Sequence, residues 1–198
     1  MFAQAPIPGR VQTRLAEDVG PSAAAEVHWQ IGRRIVAQVA GSGHRTTVWF
    51  TPPSESAFVR EWLEGLGRVE LRPQSAGTLG DRLAHAFARH FADGARRAVL
   101  VAGDCPGVDR RLVTEAFTAL SACDVVLGPT SAGGYYLVGL RAPHPGLFRG
   151  PVARLRTRAV GTGLSLRLLR PLRAVRTLQD ARLLGLLKSR STIDGTSP

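Results

Sequence analysis

The chain has 198 residues, 44% of them hydrophobic, with a mean hydropathy near zero and a formal charge of +11; it is long enough for one sizeable core, and no apolar run reaches the roughly 18 residues of a membrane helix. Cys105 and Cys123 are its only cysteines, which excludes a disulfide framework or a Cys-x-x-Cys zinc site. The charge is lopsided: residues 1–140 hold 14 Arg against 13 Asp and Glu, while residues 141–198 hold 11 Arg and Lys188 against Asp180 and Asp194, without the interleaved aromatics that bind single-stranded nucleic acid.

In chain order, Met1–Gln4 predicts the end of a strand. Four residues are minimal for a central strand, consistent with a natural start upstream of Met1. Met1-Phe-Ala-Gln lacks the basic, apolar and cleavage regions of a signal peptide, so a cytoplasmic protein is expected. Ala5-Pro-Ile-Pro-Gly-Arg-Val-Gln-Thr-Arg14 reads as a loop, because two prolines and a glycine exclude regular structure, and a helix should follow it. A second helix is predicted from Pro21 to about Ala40, where Ala24, Val27, Ile31, Ile35 and Val39 recur at helical spacing before Gly41-Ser-Gly43. Thr46–Thr51 is β-branched and aromatic, hence a strand. Ser54 is placed to cap a helix bearing Phe58, Trp62 and Leu63.

Val69–Arg72 predicts a short strand, 73–77 a loop, and Leu79 to Ala92 a helix with Leu83, Phe87 and Phe91 four apart. Ala98–Ala102 is a valine-rich strand buried on both faces. It runs into Gly103-Asp-Cys-Pro-Gly107, which places Asp104 at the carboxyl end of a central strand, the edge where open α/β sheets bind ligands. The alternative is that Asp104 caps the turn or helix that follows. A helix over Asp109–Leu120 and strands over Asp124–Gly128 and Tyr135–Leu140 come next. Leu164–Leu169 reads as a strand and Thr177–Leu187 as a final helix, whereas Gly150–Gly163 matches no pattern. Regular alternation of strand and helix predicts a mostly parallel sheet with helices on both faces, in one domain over residues 1–188, followed by a polar, disordered tail over 189–198.

Three loops converge at one sheet edge in such a fold: Ala5–Arg14, Gly103–Val108 and Pro129–Gly134. The first offers Gly9 for close backbone approach and Arg10 and Arg14 as fixed positive charges suited to a diphosphate, although it is not a P-loop. The bland reading is a Pro-Gly turn with solvated arginines. The third offers Gly133 and Gly134, against which a sugar or base can lie, and Tyr135 or Tyr136 for a hydrogen bond or stacking; one of these adjacent tyrosines must face the core. His28, His44, His85, His90 and His144 share no ligand spacing and read as surface residues. No Gly-x-Ser-x-Gly occurs, so catalysis would use a metal and positioned charge rather than a covalent nucleophile.

Four segments, Phe2-Ala-Gln-Ala-Pro-Ile-Pro-Gly-Arg-Val-Gln-Thr-Arg-Leu15, Leu79-Gly-Asp-Arg82, Gly103-Asp-Cys-Pro-Gly107 and the run from Gly128-Pro through Gly133-Gly-Tyr-Tyr-Leu to Gly139-Leu140, resemble in order and spacing a bacterial family of glycosyltransferase-A-like proteins. Its members are labelled transferase 1 of the radical-SAM/selenodomain-associated group, and are distantly related to nucleotidyltransferases that form molybdopterin-guanine and phospholactate-guanosine products. The resemblance implies a three-layer, Rossmann-like nucleotide-diphospho-sugar transferase fold. It implies a nucleotide-activated sugar or nucleoside triphosphate as ligand, with a small-molecule acceptor. The nucleotide phosphates would be bound by Pro8, Gly9, Arg10, Arg14, Asp81 and Arg82, and the donor or acceptor lined by Gly133, Gly134 and Tyr135. Asp104 would be the catalytic acidic group, near a divalent metal, Mg²⁺ or Mn²⁺.

The chain departs from that family's pattern. Gln4 and Gln12 stand where lysines are usual, Ala132 where an aspartate precedes the glycine pair, and Ala174-Val-Arg176 where an Asp-x-Asp is expected; a Trp-Ser-Thr segment after Gly150 is missing. These changes remove phosphate-binding cations and metal-binding carboxylates, which a hard divalent ion needs in number. A member that binds nucleotide without turnover is therefore the second reading. Binding of RNA or an anionic surface by Arg154, Arg156, Arg158 and Arg167 is the third, and nucleic acid is not the expected partner.

Overall fold

The computed structural model describes residues 1–187. The tail expected over 189–198 lies outside the described residues.

Among the described residues, seven strands and seven α-helices form three layers. β1 (Phe2–Gln4), β2 (Thr46–Thr51) and β3 (Val69–Pro73) make a parallel set in the order β1-β2-β3. β4 (Ala98–Val101), β5 (Val125–Pro129), β6 (Tyr135–Leu140) and β7 (Leu166–Leu168) make a second set in the order β4-β6-β5-β7. The sets meet at β1 and β4, where a Cβ on Gly103 would lie 3.1 Å from the Phe2 carbonyl oxygen. β6 runs antiparallel to both neighbours while β5 and β7 are parallel. The short link between β5 and β6 dictates this, since a parallel return needs a crossover of a dozen residues or more.

α1 (Thr13–Val19), α2 (Pro21–Ala40), α3 (Ser56–Trp62), α5 (Arg110–Ala119) and α7 (Leu178–Leu183) contribute to one core, which includes Leu15, Ile31, Trp62, Leu112 and Ala181. α4 (Leu79–Ala92) and α6 (Leu155–Gly161) contribute to the other, with Leu83, Phe87, Phe148 and Leu155. Strand alternation feeds both: Val48 and Phe50 pack with the first cluster and Trp49 with the second. The expected mostly parallel α/β architecture is the one observed.

Local corrections have simple causes. Ser54 does not cap α3: Pro53 opens a short 3₁₀ turn over Pro53–Glu55, and the Ser54 hydroxyl donates to Glu55 at 3.4 Å. Asp109, rather than Asp104, caps α5, its Oδ1 accepting from the Leu112 N–H at 2.8 Å. The unassigned stretch after Gly150 contains a 3₁₀ turn, Val152–Arg154, that leads into α6.

Candidate functional site at the carboxyl edge of the sheet

β1 ends at Gln4, and the chain then folds back on itself: the Ile7 N–H donates to Ala5 O at 2.8 Å, the Arg10 N–H to Ile7 O at 3.0 Å, and the Gln4 side-chain amide to Arg10 O at 2.8 Å. Gly9 takes φ +77° and Gln12 the left-handed φ of +49°. Val11 anchors the loop in the core, while Arg10 and Arg14 are exposed.

Asp104 sits half-buried just beyond β4. The Cys105 thiol lies 3.6 Å from its Oδ1. A strap over residues 172–176 holds this corner. The Val175 N–H donates to Asp104 O at 2.9 Å, the Leu172 N–H to Pro129 O at 3.1 Å, and the Ser131 N–H to Leu172 O at 2.9 Å. The strap thus ties the second and third loops together and brings Ala174 and Arg176 beside Asp104. Ala174 is buried and Arg176 exposed. Burial pushes the Cys105 thiol well up, Asp104 adds to that, and the Arg176 charge opposes it. α1 packs against α7, so the Arg14 helix and the strap share this edge.

In the third loop the Thr130 N–H donates to Gly134 O at 3.0 Å and the Gly133 N–H to Thr130 O at 3.1 Å, and the Thr130 hydroxyl donates to Gly133 O. Gly133 and Gly134 take φ +88° and +87°, a succession of left-handed residues that side chains resist. Of the two tyrosines, Tyr136 is the core residue: it is wholly buried, its hydroxyl donates to Arg170 O at 2.9 Å, and burial pushes its phenol up to about 12. Its ring occupies the space a Gly128 side chain would need, since a Cβ there would lie 2.4 Å from Cζ. Tyr135 is half-buried against the second cluster, its hydroxyl 3.4 Å from Ala153 O.

Asp81 and Arg82 lie at the start of α4, beyond β3. Asp81 completes a capping box, its Oδ2 accepting from the Thr78 N–H at 2.9 Å and the Thr78 hydroxyl at 2.7 Å, which holds its carboxyl below the usual range. Arg82 donates to Gln74 Oε1 at 3.0 Å. Asp81 also lines a groove of about 680 Å³ formed with Phe148, Arg149 and Pro151.

Two site neighbours escape sequence reasoning. Gln74 is buried, and its amide donates to Ala3 O at 3.3 Å and Trp49 O at 3.0 Å, joining the ends of β1 and β2 to Arg82. His28 is buried on the apolar face of α2, correcting its reading as a surface residue. Its Nε2 donates to Gln4 O at 3.0 Å, and Nδ1 has no partner. Burial pushes its pKa below the ordinary value, opposed by the Gln4 bond and by the Asp104 charge. Its position between Val27 and Ile31 in a buried stripe was the available signal.

Among the described residues no group of three or more His, Cys, Asp and Glu side chains can hold a metal ion. Asp109 caps α5 and lies 3.9 Å from Arg170, and Asp81 is engaged in the α4 capping box with Thr78. The residues beside Asp104 therefore do not fit a protein-built metal site. Among the described residues Arg10, Arg14 and Arg176 have no ion-pair partner, whereas Arg141 and Arg173 are paired and Arg158 holds Leu147 O and Pro151 O. No described helix is long and apolar enough to cross a membrane.

Solved structures share this architecture. The chain is 28% identical to a protein from Desulfovibrio desulfuricans G20 provisionally assigned as a nucleotide-diphospho-sugar transferase, with a TM-score of 0.87 over 96% of this chain and 87% of that one. At 10% identity and a TM-score of 0.62, 92% of the chain aligns with 94% of 4-diphosphocytidyl-2C-methyl-D-erythritol synthase from Anaerococcus prevotii DSM 20548. At 19% identity and a TM-score of 0.53, 92% aligns with 95% of Rv0371C from Mycobacterium tuberculosis H37Rv, solved in complex with manganese. No curated protein matches the sequence. With the matching region spanning residues 35–152, the chain belongs to the DUF2064 family, described as uncharacterized proteins conserved in bacteria, and has the fold of the nucleotide-diphospho-sugar transferases.

Proposed function

We propose that the protein is a transferase that binds a nucleotide-activated sugar or a nucleoside triphosphate at the carboxyl edge of the sheet and transfers the sugar or the nucleotidyl group to a small-molecule acceptor. One observation carries this reading: the loops that leave β4 and β5 are tied together by the 172–176 strap beside Asp104, at the strand ends where an open α/β sheet binds ligands. Arg10 and Arg14 engage the phosphates beside the Pro8-Gly9 turn, with Arg82 nearby. Gly133, Gly134 and Tyr135 line the donor or acceptor, and Asp104 accepts the proton or hydrogen bond of the acceptor hydroxyl. The likeness to the Desulfovibrio protein supports the substrate class. The manganese in the mycobacterial structure supports a divalent ion as a companion of this fold, although the donors beside Asp104 in this chain do not build a site for one.

The test is isothermal titration with a panel of nucleoside diphosphate sugars and nucleoside triphosphates, with and without Mg²⁺ or Mn²⁺, followed by product analysis with candidate acceptors. Binding of at least one ligand is expected; none binding in any buffer overturns the reading. Sugar transfer breaks the bond between the anomeric carbon and the phosphate oxygen and releases nucleoside diphosphate. Nucleotidyl transfer breaks the α–β anhydride and releases pyrophosphate. Ala132, Ala174 and Arg176, in place of acidic groups, favour a second reading, binding without turnover, which is established if a ligand binds and neither product forms.

A further inference from the structure

We infer that this chain neutralises the phosphates of its ligand with guanidinium groups, Arg176 together with Arg10 and Arg14, and needs no divalent ion to bind a diphosphate. This rests on the proposed nucleotide-binding function and goes beyond it by stating what supplies the positive charge. A divalent ion such as Mg²⁺ takes hard oxygen donors in near-octahedral geometry. Beside Asp104 the described residues offer no such set, and Asp81, Asp109 and Asp180 are engaged in helix capping.

What the corner does hold is a fixed cation. The Val175 N–H donates to the backbone carbonyl oxygen of Asp104, which sets the strap beside this residue. Asp180 Oδ2 then accepts from the Arg176 N–H at 3.2 Å and the Thr177 N–H at 3.1 Å, which fixes the Arg176 backbone and leaves its side chain exposed and, among the described residues, without an ion-pair partner. A guanidinium is always charged and presents a planar fork that matches phosphate oxygens bidentately. A divalent ion seated beside Asp104 would also be repelled by that neighbouring charge. Arg176, whose charge is felt at Cys105 next to Asp104, together with Arg10 and Arg14 of the first loop and α1, unpaired among the described residues, leaves a positive surplus of the kind that a diphosphate meets.

The test uses inorganic pyrophosphate as probe, titrated into the full chain in EDTA and again in excess Mg²⁺. Affinity is expected to agree within about twofold between the buffers. Arg176→Ala should weaken binding in EDTA about tenfold, the loss of one charge-assisted pair, with Arg176→Lys between the two, because a lysine keeps the charge and loses the fork. The double change Ala174→Asp with Arg176→Asp should abolish binding in EDTA and make it depend on Mg²⁺. Because Arg176 is exposed, the single variants should melt like the parent, and the comparison of buffers on the unaltered chain needs no variant at all. Pyrophosphate binding only with Mg²⁺, or undiminished binding by Arg176→Ala in EDTA, overturns the inference and leaves the nucleotide reading standing. If pyrophosphate binds in neither buffer while the nucleotide panel does, the inference alone falls; if nothing in the panel binds, both fall.

Discussion

The two edges of the sheet treat charge in opposite ways. At the amino edge several charges are answered within the fold. Asp124, entering β5, accepts from the Ser165 N–H and hydroxyl and lies 2.5 Å from Arg141; Arg72 pairs with Glu70 at 2.6 Å and Asp93 at 2.9 Å, and Arg45 pairs with Glu70 at 3.1 Å. At the carboxyl edge Arg10, Arg14 and Arg176 are exposed and, among the described residues, have no carboxylate partner. Charge that holds a fold together is saturated within the fold, whereas charge left open awaits something from solvent.

The contrast breaks most visibly if the open arginines are removed. Arg10→Ala with Arg14→Ala should weaken nucleotide binding about a hundredfold, roughly 2.7 kcal/mol, and leave the melting temperature unchanged, as calorimetric titration and thermal denaturation would report. Asp124→Ala should do the reverse. It strips three hydrogen bonds from a charged acceptor and should lower unfolding free energy by about 1–3 kcal/mol in denaturant titration, with ligand affinity preserved. Its pH dependence has a definite sign. The Ser165 bonds, then Arg141, hold the Asp124 carboxyl down to about 2 from its ordinary 3.8. The stabilisation is complete above the ordinary value and lost as pH falls toward the folded one, so the stability gap between the parent and Asp124→Asn should close between about pH 4 and pH 2. The smallest effects distinguish neighbours in one strand. Tyr136→Phe should cost about 1 kcal/mol of stability, while Tyr135→Phe should leave stability unchanged and alter ligand affinity by no more than about threefold.

Much of the architecture was legible because its signals are local. α2, β2, α4 and β6 span the residues that periodicity and punctuation indicated, from Pro21 opening a helix to the glycine pair before Tyr135. The direction of β6 was not, because it depends on how far a five-residue link can reach. α6 was hidden by arginines between its few buried residues, Leu155 and Ala159. In the site, the strand-end position of Asp104 followed from topology. The roles of Gln74 and His28 did not, because each is defined by carbonyl oxygens distant in the chain. The family pattern already put Ala174 and Arg176 at the site, but the strap that carries them there did not show, since it is held by one hydrogen bond, from Val175, between residues 71 positions apart.

The contact between Gly128 and Tyr136 has a consequence for divergence within the family. The Tyr136 ring fills the space that a side chain at 128 would need, and its hydroxyl holds the Arg170 carbonyl just ahead of the strap. A methyl group at 128 would displace the ring and, with it, the anchor two residues before Leu172. The two positions therefore form a single heritable unit. Descendants that gain a side chain at 128 should carry a smaller residue at 136 and a re-anchored strap, so a change far inside the core would redraw the carboxyl edge of the sheet around Asp104 without touching any residue exposed there.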